Sequence, residues 1–191
     1  MEPAALSLIA ATIEAPAEEL QDFDRVVQLY RPAIFRFVLA SLRDRDDAET
    51  LTQDCFLRAF RHRHSFRGEA AVKTWLMQIA ANLVRDLTRS RRFQFWKRAR
   101  AGSTCVHDLV ECLSSGEASP EKTTLVREQL SAIWTATERL SERQRAVFVL
   151  RFVEDMDLLE IAAVLGTKEG TVKKHMFRAL QAVREEMGRL P

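Results

Sequence analysis

Apolar residues recur along this chain at intervals of three and four rather than two, so the predicted elements are helices. The first spans Phe23 to Leu42, with Pro32 inside it predicting a kink or a break. Arg43 to Asp47 reads as a connection, with Asp46 or Asp47 capping the next helix and Glu49 in its first turn. That helix carries Ala48, Leu51, Thr52, Cys55, Phe56 and Ala59 on one side. Phe66-Arg67-Gly68 marks a break. A long helix follows from about Ala71 to Arg92, with Val72, Trp75, Leu76, Ile79, Leu83 and Leu87 inward.

The second half repeats the helical pattern after a gap. Residues 98–121 hold Gly, Ser, Pro and acids with weak periodicity, which predicts a flexible linker. Leu130, Ile133, Trp134, Thr137 and Leu140 form one helical row. Ser141 with Gln144, and Asp157 with Glu160, are two capping-box signatures, each opening a helix. Leu158, Ile161, Ala162 and Leu165 line the second of these helices, and Gly166 breaks it. Val172, Met176, Leu180 and Val183 line the next. A short helix, a tight turn and a further helix form a helix-turn-helix, a common way to read the DNA major groove. The expected fold is therefore all-α, with two small helical domains, 22–97 and 122–191, on a flexible linker and preceded by a tail, 1–21.

The outward faces carry the candidate chemistry. On the last helix Lys173, Phe177 and Gln181 form one outer row, with Lys174 and Arg178 beside it. Basic side chains there can neutralise phosphates and donate to guanine, and an aromatic can pack on a thymine methyl. The same pattern also fits a solvated face with one exposed aromatic. On the long helix of the first half, Gln78, Asn82, Arg85 and Arg89 make a polar stripe; amides can read base edges and arginines hold phosphates. Phe93, Phe95 and Trp96 follow among basic residues and read more simply as core. Gln53, Asp54, Leu57 and Arg58 give a mixed surface with an apolar centre, suited to a protein partner.

Bulk composition adds less. The net charge of +2 does not mark a nucleic-acid binder, but its distribution is uneven: Arg85 to Arg100 is strongly basic, and Gly102 to Glu121 has no Lys or Arg. Three cysteines, Cys55, Cys105 and Cys112, lack disulfide-framework spacing and suit a reducing cytosol. The apolar run Ala4 to Ile13 has no basic leader and is too short to span a bilayer, so a cytoplasmic protein is expected. Cys105, His107 and Cys112 lack zinc-finger spacing and a fourth ligand, and His62 and His64 read as surface residues, so no metal or cofactor is expected. No catalytic constellation stands out, which argues against an enzyme.

Taken together, these stretches resemble the extracytoplasmic-function (ECF, group 4) sigma factors of the sigma-70 family of bacterial RNA polymerase. The matching residues are Leu29-Tyr30-Arg31-Pro32, Asp47-Ala48-Glu49, Gln53 through Phe60, Phe66-Arg67-Gly68, Thr74-Trp75-Leu76 and Ile79-Ala80-Ala81-Asn82. In the second half they are Leu140 through Arg145, Glu160-Ile161-Ala162, Leu165-Gly166, Gly170 through Lys173 and Arg178-Ala179-Leu180.

The resemblance implies roles. Gln53, Asp54, Leu57 and Arg58 would contact the β′ clamp helices of core RNA polymerase, and the second domain the β flap. Phe66, Ile79 and Asn82 would form a pocket for a base flipped from the −10 element, with Arg85 and Arg89 on nearby phosphates. Lys168, Thr171, Lys173, Lys174, Phe177 and Arg178 would meet the −35 element. Promoter DNA and an anti-sigma factor, often membrane-anchored in the family, are the other implied partners, with no small-molecule substrate. The chain departs from the family at Lys168, where Ser is frequent and Thr167 is the candidate cap instead, at Lys174-His175, and at Thr52, where an apolar residue is usual. Three other readings stay open on the residues alone: a dimeric helix-turn-helix regulator acting without polymerase, a helical adaptor that binds no DNA, and an enzyme with a metal in the linker, which would need a bound metal in the purified protein.

Overall fold

The computed structural model describes residues 19–90 and 131–188. The basic aromatic run Phe93 to Trp96, the acidic linker with Cys105, His107 and Cys112, and the apolar stretch Ala4 to Ile13 lie outside the described residues. All regular elements among the described residues are helical.

Three helices build the first unit: α1 (Phe23–Leu42), α2 (Arg45–His62) and α3 (Val72–Arg89). Of the kink or break expected at Pro32, the break does not occur: helix α1 runs through it. Its register still places Val26, Ala33, Ile34, Phe37 and Val38 in the core, and this burial holds the helix together where a backbone N–H is missing. Asp22 caps its start by accepting from the Arg25 N–H, and Leu20 just before it is already buried.

The α1–α2 connection is tighter than the charged run suggests. Arg43 adopts a left-handed conformation with φ 61°, reversing the chain in one residue. Asp44, rather than Asp46 or Asp47, then caps α2 by accepting from the Asp47 N–H. Asp46 and Asp47 sit instead in the first turn, where the helix dipole favours acids. Phe23 packs edge-on against Phe56 and Phe60, closing the open end of the α1–α2 pair. Thr52 is fully buried with its hydroxyl oxygen unpaired, consistent with a position suited to an apolar side chain. Cys55 is also fully buried, and desolvation pushes its thiol up to about 12, leaving it unreactive at neutral pH.

The second unit comprises the helical segment 131–137, α4 (Glu142–Phe152), α5 (Leu158–Leu165) and α6 (Glu169–Met187). Both expected capping boxes are present, at Ser141/Gln144 and at Asp157/Glu160. Gly166 ends α5 with φ 59°, and its N–H and that of Thr167 bond back to the end of the helix. Arg145 is buried and donates to the carbonyls of Thr137 and Leu140, satisfying groups left open where segment 131–137 ends. Burial, then the nearby Arg43 charge, lowers its guanidinium to about 10, still protonated at neutral pH.

The two units pack against each other. One buried cluster runs from Val26, Phe37 and Leu76 of the first to Leu150, Ile161 and Val172 of the second. A smaller cluster, Ala136, Leu140, Phe148, Ala179 and Val183, ties α6 to α4 and segment 131–137. Among the described residues no helix is long and apolar enough to cross a membrane.

Candidate nucleic-acid interface

Helix α6 owes its orientation to an inward row of Val172, Ala179 and Val183, with Met176 and Leu180 half-buried beside it. That row turns Lys173, Lys174, Phe177, Arg178 and Gln181 to solvent, and Lys168 is exposed just before the helix. Phe177 is 69% exposed, so hydrophobic burial does not account for it. Lys173 is held by Glu169 one turn earlier, with Nζ 2.6 Å from the carboxylate. Thr171 departs from the expected surface: with His175 it forms a separate row facing the first unit, and both line a cavity of about 160 Å³ between the units. Burial lowers the His175 imidazole from its usual 6.5, and the charges of Arg143, Arg178 and Lys174 lower it further.

Helix α3 has three faces. Val72, Leu76, Ala80 and Leu83 enter the core. Thr74, Gln78 and Arg85 turn toward the second unit: Thr74 donates to Glu160 at 3.1 Å, Gln78 to the Ala163 carbonyl at 3.2 Å, and Arg85 lines the cavity with Arg89. Trp75, Ile79 and Asn82 share the third face, at helical spacing. Trp75 and Ile79 are half-buried at the rim of the core rather than inside it, because the core face lies a quarter-turn away. Phe66 reaches over from the preceding segment, its ring centroid 5.0 Å from that of Trp75. Asn82 is exposed beside them, and its side-chain oxygen accepts a hydrogen bond from Arg85. The result is an aromatic and aliphatic shelf with an amide at its edge. Trp75, taken from the sequence as core, is thus part of the shelf; only the Phe66 contact reveals it.

On α2, Gln53, Asp54, Leu57 and Arg58 are all exposed, and Leu57 is 47% so. Phe60, one turn on, is also exposed, with the Arg63 guanidinium 3.8 Å over its ring. Leu29 on α1 is a further exposed apolar side chain. Neither was distinguished by periodicity, which marks the buried face and is silent about apolar residues outside it. His62 and His64 are exposed. No group of three metal-binding side chains occurs among the described residues.

Two family models match the chain in succession: Sigma-70 region 2 over residues 26–94 and Sigma-70 region 4 over residues 130–183. The Escherichia coli K12 protein "ECF RNA polymerase sigma-E factor" is 31% identical over 143 residues, covering 72% of each chain. The chain belongs to the ECF sigma factors of RNA polymerase. The Bacillus subtilis ECF sigma factor SigW is 27% identical over 86% of this chain and 88% of its own. Two solved structures share the fold. The Bartonella quintana sigma factor RpoE, in complex with the anti-sigma factor NepR, has a TM-score of 0.63 and 23% identity, over 90% of this chain and 99% of that one. CnrH, in complex with the cytosolic domain of CnrY, has a TM-score of 0.61 and 21% identity, over 91% and 92%. The chain is accordingly an alternative sigma factor, a transcription initiation factor of core RNA polymerase acting on promoter DNA. That family assignment displaces the dimeric regulator and the adaptor.

Proposed function

We propose that residues 22–97 form the unit that binds core polymerase and the −10 element, that 122–191 form the unit that binds the −35 element, and that 98–121 link them. The observation that carries this reading is the exposed row Lys173, Lys174, Phe177 and Arg178, presented outward on the second helix of a helix-turn-helix. Lys168 adds a phosphate contact at the helix start. In the first unit the shelf of Phe66, Trp75 and Ile79 receives an unstacked base and the Asn82 amide reads its edge. Arg85 and Arg89 hold neighbouring phosphates. Gln53, Asp54, Leu57 and Arg58 seat α2 on the β′ clamp helices, and the second unit meets the β flap. An anti-sigma factor holds the protein inactive, a reading supported by Bartonella quintana RpoE, whose structure is a complex with the anti-sigma factor NepR. The protein works in the cytoplasm and makes no bond itself; RNA synthesis is the polymerase's chemistry.

Run-off transcription with purified core polymerase on genomic fragments tests this reading. Transcripts that appear only when the protein is added support it; no transcript and no stable complex with core overturn it. Within that assay, Asn82→Ala is expected to lower discrimination between intact and altered −10 elements about tenfold, the equivalent of one lost amide contact of about 1–3 kcal/mol. Unchanged discrimination would remove Asn82 from the base site.

The Glu169–Lys173 pair supplies a second prediction. Both side chains are substantially exposed, so the pair itself contributes little to stability. It does occupy a cation expected to meet DNA, and it places a carboxylate near the phosphates. Glu169→Gln is therefore expected to tighten −35 DNA binding about threefold, with a steeper salt dependence. Electrophoretic shift of holoenzyme on a −35 duplex measures it; weaker binding would mean that Glu169 serves to position Lys173.

A further inference from the structure

The cavity of about 160 Å³ between the units is filled by no polymerase or promoter contact assigned above. Its walls come from α1, α3, α4, α5 and α6, and they are fixed in place. The Glu154 carboxylate, 1% exposed, accepts from Arg36 of α1 at 2.9 and 3.2 Å and has the Lys73 ammonium of α3 at 3.4 Å. The Thr74 and Gln78 hydrogen bonds lie on the same boundary. A cavity of roughly 150 Å³ takes up a benzene-sized molecule, so this one has room for a ligand rather than for a single water. Left empty, its lining forfeits dispersion contacts over the whole surface.

Part of the lining is apolar, with Phe37, Ala81, Val84 and Ala146. The polar part is cationic. Arg85 and Arg89 come from successive turns of α3, Arg143 from the first turn of α4, and His175 from α6. Glu142 is the single acid in the lining, and its charge also acts on the buried Arg145. Among the described residues no carboxylate pairs with Arg85, Arg89 or Arg143. The His175 Nδ1 is buried and has no hydrogen-bond partner among the described residues. Like charges gathered around one space cost energy until an anion answers them.

Phosphate is the anion these groups suit. A guanidinium presents paired N–H donors that match two phosphate oxygens, and a phosphate monoester carries about −1.5 to −2 charge at neutral pH. A carboxylate would answer only one of the cations. The Thr167 and Thr171 side chains stand beside them in the lining. The apolar part of the wall calls for a compact ring or short chain attached to the phosphate. A nucleic-acid strand is the wrong shape, because its chain would have to run out between helices of both units. The site goes beyond the function proposed above, since it uses Arg143 and His175, to which no DNA contact is assigned.

We propose that this cavity binds a small phosphate monoester, with the phosphate held by Arg85, Arg89, Arg143 and His175 and the apolar part laid against Phe37 and Val84. It is a small-molecule site of the sigma factor itself, apart from the outward row of α6.

Isothermal titration calorimetry of the full chain with phenyl phosphate and with inorganic phosphate tests it in the absence of DNA and polymerase. Phenyl phosphate is expected to bind as one molecule per chain, and inorganic phosphate more weakly because it leaves the apolar wall bare. Arg143→Gln should weaken phenyl phosphate about tenfold, the loss of one charge-assisted hydrogen bond. Arg143 is exposed, so this variant should fold, and His175→Gln carries the same test from the other unit wall. Arg31→Gln, which removes a cation outside the lining, is the control expected to keep full affinity. Burial and the charges of Arg143, Arg178 and Lys174 lower the His175 imidazole, and a bound dianion opposes those charges. Its titration midpoint, followed by proton–nitrogen NMR correlation, should therefore rise when phenyl phosphate is added. No binding at millimolar phenyl phosphate, a loss as large in Arg31→Gln as in Arg143→Gln, or an unmoved His175 midpoint would overturn the site. Equal affinity for inorganic phosphate would overturn the ester in favour of the free ion. Failure here would leave the promoter reading standing, and failure of run-off transcription would leave this site standing.

Discussion

Leu57→Asp is expected to abolish holoenzyme formation, with core affinity falling at least 100-fold. Leu57 is nearly half exposed on α2, so the substitution should leave the fold intact. Its neighbours Gln53, Asp54 and Arg58 are exposed around it, the arrangement of an apolar anchor with a polar rim. Burying a leucine contributes about 1.5–3 kcal/mol, and the aspartate would in addition take an unpaired charge out of water. Together these exceed the ~2.7 kcal/mol that a 100-fold loss requires. Fluorescence anisotropy of labelled protein titrated with core polymerase reads it directly. Full affinity in a folded Leu57→Asp protein would place the polymerase surface elsewhere, and the exposed Leu29 and Phe60 would be the next positions to change.

The second large effect is expected at the other end of the molecule. Lys173→Ala combined with Arg178→Ala should lower −35-dependent promoter binding about 100-fold while core affinity stays unchanged. The two side chains lie on one exposed face of α6, and each is assigned a contact of about 1–3 kcal/mol. Loss of two cations should also reduce the slope of log affinity against log salt by about two. Neither substitution touches the buried row Val172, Ala179 and Val183, and the lost Glu169 pair is exposed, so stability should hold. Promoter binding by reconstituted holoenzyme at several salt concentrations gives both numbers. An unchanged slope would show that α6 does not meet phosphates through these residues. The two variants are complementary: one loses polymerase and keeps the DNA face, the other the reverse.

Local chemistry accounts for what was readable in advance. Each capping box joins residues three apart, and the left-handed turn at Gly166 depends on one missing Cβ. The inward rows of α2 and α6 follow from a fixed helical period, and so do the outward residues Lys173, Phe177 and Arg178, and Leu57. The misplaced cap of α2 shows the limit even locally: Asp44, Asp46 and Asp47 are equally able caps, and the left-handed Arg43 decided among them.

The sequence by itself therefore determined the all-α class, the helix-turn-helix, the exposed basic row and the family. These depend on periodicity and on residues within a turn of one another. Tertiary structure alone decided that the units dock, that Glu154 meets Arg36 and Lys73, that Phe66 covers Trp75, and that Thr171 and His175 face Arg85 and Arg89 across a cavity. Glu154 and Arg36 are 118 residues apart, and nothing in the helical period of either segment selects the other. Such pairs form only once apolar burial has brought the two units together, so their charges read as ordinary surface until the fold is seen.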